Sequence, residues 1–169
     1  MTAANRKGVG TAALAIALVA GWAAVSAAGL LDAVFGKDPA AAAKAAGVVE
    51  AADAVKIPLS ALDSGKALFL ETQADGRTLH FFALRSVDGK YRSALDACDV
   101  CFRMNRGYRQ EGDLMVCNNC GQTFPSDRIG EAKGGCNPHP LAHRIEGGKM
   151  VIRKADILAG KDYFARKRS

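Results

Sequence analysis

Several kinds of chemistry are missing from this chain before any motif is weighed. No two carboxylates stand at a spacing suited to acid–base work, and no Ser/His/Asp order emerges, so a substrate-transforming enzyme is not expected. The formal net charge is +6, yet there is no basic helix and none of the aromatic–basic interleaving of RNA and DNA readers. Nucleic acid is therefore excluded as a partner. The basic clusters are Arg6-Lys7 and Arg166-Lys167-Arg168, and the second reads as a solvated, frayed end. Neither Cys-x-x-Cys is followed by His, because Phe102 and Gly121 stand there instead, which excludes covalent c-type haem.

Charge is also absent from Val9 to Leu31, between Arg6-Lys7 and Asp32. At ~1.5 Å per residue, such a run is long enough as a helix to cross a ~30 Å hydrocarbon layer. The basic flank keeps residues 1–8 cytoplasmic and sends the rest of the chain across. A cleaved signal peptide is the rival reading, since Val25-Ser26-Ala27 and Ser26-Ala27-Ala28 offer small residues to a peptidase. Either way the following domain is exported. Residues 32–54 follow, alanine-rich from Lys37 to Ala54 and without an apolar stripe, and they read as a semi-rigid tether.

With 169 residues there is room for one domain of ordinary size, which begins near Val55 and takes up 55–169. Lys66 to Gln73 and Thr78 to Ser86 are strand-like and joined across Asp75-Gly76. A second turn at Asp88-Gly89 leads into Tyr91 to Ala97, and Asp113 to Val116 is a further short strand. The expected class is mainly β (α+β), a small β-meander carrying metal knuckles behind one transmembrane helix. Ile57 to Phe69 also aligns without gaps on Ile152 to Phe164, matching Leu62/Ile157, Gly65/Gly160, Lys66/Lys161 and Phe69/Phe164. Each copy reads as a strand, one helical turn, a glycine stop and another extended piece, and no chemistry is assigned to either.

The cysteines carry the chemistry. Cys98-Asp99-Val100-Cys101 and Cys117-Asn118-Asn119-Cys120 stand fifteen residues apart, with Cys136 alone downstream. Two such knuckles facing each other make a tetrahedral cage of four sulfurs, so Cys98, Cys101, Cys117 and Cys120 are the expected metal ligands. Gly121 lets the second knuckle adopt positive φ while backbone N–H groups aim at sulfur. Five thiols cannot all pair as disulfides in an exported protein, which also favours metal. Geometry leaves zinc and iron–sulfur chemistry both open. Cys136, between Gly134-Gly135 and Asn137-Pro138, is a further ligand, a gate or a structural thiol.

Lesser candidates are assigned to structure. His139 lies between Pro138 and Pro140 and is expected extended and exposed, with His143 similar and His80 on a strand face. Met104 and Met115 are expected to pack rather than bind metal, and Asp96, Asp99, Glu111 and Asp113 to be solvated.

Four stretches carry a family resemblance: Ser93 to Cys101, Gly107 to Asp113, Cys117 to Pro125, and Gly134 to Pro138. Lys56-Ile57-Pro58-Leu59 and Phe81-Phe82 before Asp88-Gly89 extend it. Together they resemble the FtrD-like family of membrane-anchored Fe–S proteins of bacterial iron-uptake systems, over roughly Val55 to Leu141. The resemblance implies a single-pass inner-membrane protein with its domain in the periplasm, passing electrons. It also implies an iron–sulfur cluster or iron as cofactor, with zinc as the alternative. Its implied partners are an inner-membrane iron permease and periplasmic iron or copper proteins of the same system. Cys98, Cys101, Cys117, Cys120 and Cys136 carry over as the metal-binding set.

Overall fold

The computed structural model describes residues 38–165. The expected membrane segment Val9–Leu31, the Arg6-Lys7 flank and the Arg166-Lys167-Arg168 tail lie outside the described residues. Among those described, no helix is long and apolar enough to cross a membrane.

The domain is mainly β, with three antiparallel sheets and few helices. The expected hairpins form where the turn chemistry put them. Strands β3 (Leu68–Ala74) and β4 (Arg77–Arg85) meet across Asp75 and Gly76, both at positive φ as a tight two-residue turn requires. Strand β4 then pairs with β5 (Tyr91–Leu95) around the Asp88-Gly89 turn. A second meander runs β6 (Tyr108–Glu111), β7 (Leu114–Cys117), β8 (Thr123–Pro125).

The third sheet has the order β1 (Val49–Glu50), β2 (Ala54–Pro58), β10 (Lys149–Arg153), β9 (Arg144–Glu146). It is built around the internal echo. Val55 pairs with Ile152 and Ile57 with Met150, whereas the ungapped alignment equates Val55 with Met150 and Ile57 with Ile152. The copies therefore pair reciprocally about Lys56 and Val151, a local pseudo-twofold that buries all four apolar side chains in one core.

Beyond their strands the copies diverge. After Gly65 the chain extends into β3, as expected. After helix α2 (Lys154–Ala159) and Gly160 it coils into a 3-10 turn, Lys161–Phe164, so the second extended piece is corrected. The shared glycine serves two different needs. Gly65 sits at φ +73°, and Gly160 has ordinary φ, but a Cβ there would collide with Leu95 Cδ1.

Residues 38–54 differ from the tether read in the sequence. Asp38 caps helix α1 (Pro39–Ala45) by accepting from the Ala40 and Ala41 amides, Ala42 is buried in the core, and β1 adds to the sheet. Alanine carries so little surface that a buried stripe of it does not register as amphipathic.

The β3–β4–β5 sheet is covered on both faces. Leu79, Phe81 and Ala83 of β4 enter the core shared with β2, β10 and α2. Phe82 and Leu84 enter a second core with Tyr108, Met115, Phe124, Cys98 and Cys117. Arg92 of β5 is buried and ion-paired to Asp88 at 2.8 Å and Glu131 at 3.1 Å, which fastens the loop after β8 to this sheet.

The glycine difference is measurable. Gly65→Ala should cost about 1 kcal/mol through its positive φ, and Gly65→Asn less, because Asn tolerates that region. Gly160→Ala should cost about 1–3 kcal/mol by overpacking Leu95, and Leu95→Val in the same chain should recover part of the loss. Denaturant unfolding of the four variants checks both expectations.

Candidate metal centre

Three segments bring the cysteines together. Strand β5 runs out through Asp96 and Ala97 to Cys98, β7 ends on Cys117, and the loop after β8 returns with Cys136. That loop is pinned beside the first knuckle, where the His139 N–H donates to Ala97 O, the Leu95 N–H donates to His139 O, and Ala94 bridges Pro140.

The knuckles are built differently, as their flanking residues implied. In the second, Gly121 takes φ +75° and its N–H donates to Cys117 O at 2.9 Å, while the Cys117 N–H donates to Gln122 O. In the first, Cys101 continues into a 3-10 turn, Phe102–Met104, which reverses at Asn105 with φ +46°. N–H groups converge on sulfur in both. Cys101 N–H donates to Cys98 Sγ at 3.2 Å, the Asn119 amide to Cys101 Sγ at 3.3 Å, Asn119 and Cys120 N–H to Cys117, and Gln122 N–H to Cys120.

All five sulfurs belong to one cluster. Cys98, Cys101 and Cys136 lie within 4.8 Å of one another, as do Cys101, Cys117 and Cys120. Cys136 Sγ is 3.8 Å from Cys101 and 3.7 Å from Cys120. Of the readings open for Cys136, the structure puts its sulfur among the others. Cys98 and Cys117 are buried and Cys120 is exposed.

Tyr108 ties the three segments, a role that sequence reasoning missed. Its N–H donates to buried Asp96 Oδ1 at 2.6 Å, its hydroxyl donates to Cys136 O at 2.6 Å, and it pairs with Cys117 across the β6–β7 ladder. Burial, then its hydrogen bond with Cys98, holds the phenol far above its ordinary pKa, so it stays a donor. The only signal in the sequence was Gly107-Tyr108 inside a β-forming run.

Of the smaller expectations, some change and others hold. Asp96 is buried rather than solvated, and Asp99 accepts a hydrogen bond from the Tyr163 hydroxyl. His139 is half-buried against the same hydroxyl, and His143 bridges Ser93 Oγ and Tyr91 O. Met115 packs in the core, whereas Met104 is exposed.

Burial pushes the Cys117 thiol up to about 12 and raises Cys136 as well, while the Gln122 N–H lowers Cys120. A metal must displace the protons of the raised thiols, so affinity should rise with pH and metal should be lost on acidification, with proton release measurable by calorimetry in two buffers. Serine at Cys98, Cys101, Cys117 or Cys120 should weaken metal binding by more than the ~10–100-fold that losing an outer-shell partner costs. Given its sulfur contacts, Cys136→Ser should behave like Cys120→Ser, and metal analysis of the five variants decides.

The donor set suits an iron–sulfur group, which takes four cysteine thiolates. Thiolates on one tetrahedral ion at ~2.3 Å stand ~3.8 Å apart, and the Cys136 contacts of 3.8 and 3.7 Å match that separation. A cluster with one thiolate per iron would need them to spread. A family model described as membrane iron–sulfur containing protein FtrD-like matches residues 62–164, which reaches beyond the motifs to include the second echo copy. No curated protein and no solved structure matches the chain. The match spans more than half of the sequence, and the chain belongs to the FtrD-like family of membrane iron–sulfur containing proteins.

Proposed function

We propose that this protein is a membrane-anchored electron carrier of a bacterial iron-uptake system, with its β domain in the periplasm. The observation that carries the reading is the gathering of five thiols from three segments into one cluster with Cys120 at the surface. Bound there through Cys98, Cys101, Cys117, Cys120 and Cys136 as the available thiolates, an iron–sulfur group would supply one-electron reduction and oxidation.

The chain's own residues do the rest. The N–H groups on Cys98, Cys101, Cys117 and Cys120 stabilise negative charge at sulfur, which raises the potential at which an electron is accepted. Tyr108, Phe82 and Phe124 close the inner side against water. Val100 and Met104, 62% and 51% exposed, flank Cys101 and give a partner an apolar landing area beside the centre. Family membership supports the membrane and iron–sulfur assignments, and the uncharged run Val9–Leu31 supports the anchor. The partners in this reading are the inner-membrane permease and the periplasmic iron or copper proteins of the same system.

A second reading has its own support in the 3.7–3.8 Å sulfur contacts. One ion on four thiolates would make the domain a zinc-stapled interaction module, or an accessory that delivers iron or copper. Full-length protein purified anaerobically from membranes distinguishes them. Electron transfer expects bound iron, visible absorbance and a reversible redox wave. It also expects that losing the protein impairs growth when iron is scarce and that Cys117→Ser reproduces the defect. A colourless protein holding one tight zinc ion, with no redox wave, would sink the electron-transfer role.

A further inference from the structure

Beside the sulfur cluster, three side chains of harder chemistry meet at the surface. The Tyr163 hydroxyl donates to Asp99 Oδ1 and lies 3.0 Å from His139 Nδ1, which is 3.7 Å from the same Asp99 oxygen. Each comes from a different part of the chain: the first knuckle, the Pro138-His139-Pro140 run, and the 3-10 turn that ends the second echo copy.

Each side chain is also held from behind. His139 is fixed by the backbone bonds of its loop to Ala97 and Leu95. Tyr163 stands edge-on against Phe102 at 5.6 Å, with its ring 4.9 Å from that of His139. Asp99 has its backbone within the Cys98–Cys101 knuckle. The side chains of His139 and Asp99 are 31% and 40% exposed, so the trio is open to solvent.

Donors sharing one six-coordinate ion at ~2.0–2.2 Å stand ~3 Å apart. Tyr163 and His139 stand at that separation, while His139 and Asp99, 3.7 Å apart, would draw together on a shared ion. A phenolate, a carboxylate and an imidazole form a hard set on one face of such an ion and leave its other positions to water, unlike the soft thiolates next door.

We propose that Asp99, His139 and Tyr163 form a second metal site, open and exchangeable, that takes a ferric ion from solution. Binding replaces the phenol O–H with an iron–oxygen bond, releases one proton to solvent, and changes no oxidation state. Burial and the Asp99 carboxylate push Tyr163 up to about 12, so the ion must displace a proton that the empty site keeps. The proposal stands whether the sulfur centre holds iron or zinc, because it uses none of its ligands.

The test adds ferric nitrilotriacetate to the full-length protein with its sulfur centre loaded. A parallel titration uses gallium(III), which cannot be reduced by thiols. One ion per chain should bind beyond the sulfur-bound metal, with tyrosinate modes in the resonance Raman spectrum of the ferric form. Tyr163→Phe, which keeps the ring on Phe102, should abolish those modes and weaken binding by about tenfold or more. His139→Gln should weaken binding while keeping the modes. Failure to bind an additional ion, binding without a phenolate signature, or equal affinity in Tyr163→Phe would overturn the site. Loss of sulfur-bound metal in Tyr163→Phe would overturn it too, by making the trio a brace for the knuckle.

Discussion

From Phe81 to Leu84 strand β4 has no solvent side, and the layout of the molecule follows from that constraint. Phe81 and Phe82 are adjacent in sequence, so they point to opposite faces of the sheet, and both are fully buried. Two layers are needed to cover them. The echo sheet with α2 closes over Phe81, and the β6–β8 meander closes over Phe82. The cysteines fall where the second layer meets the end of β5, so Cys98 and Cys117 are members of an apolar core as well as candidate ligands.

That position sets up an opposition. Burial disfavours the thiolate form, which is why the Cys117 thiol is raised. The knuckle backbones work the other way by aiming N–H groups at sulfur, and at exposed Cys120 they prevail. A bound cation would resolve the opposition by supplying positive charge among the buried sulfurs, which is how metal binding becomes folding energy in a small domain.

Two tyrosines reach the first knuckle from different segments. Tyr108 holds it from the core side through Asp96 and reaches on to the Cys136 carbonyl. The Tyr163 hydroxyl meets Asp99 of the knuckle and His139 beside it. Tyr163 comes from the second echo copy, to which sequence reasoning gave no chemistry. The pseudo-twofold pairing of Lys56 with Val151 is what carries that copy back to the domain, so a symmetric core element delivers an asymmetric site residue.

What the sequence determined by itself was whatever depends on near neighbours. Asp75-Gly76 dictated a hairpin because few other residue pairs accept positive φ at both positions, and Gly89 and Gly121 each supplied the positive φ that the second turn and the second knuckle need. Cys-x-x-Cys spacing declared a thiol site because two residues between cysteines suffice to turn both sulfurs to one side. Tertiary structure alone decided the rest. It brought Cys136 within 3.8 Å of Cys101 across thirty-five positions, buried Asp96, and joined Asp99 to His139 and Tyr163. It turned an alanine segment that looked like a tether into a packed helix and strand. Those outcomes rest on contacts between segments far apart in the chain, and a local pattern carries no record of which distant surface will cover it.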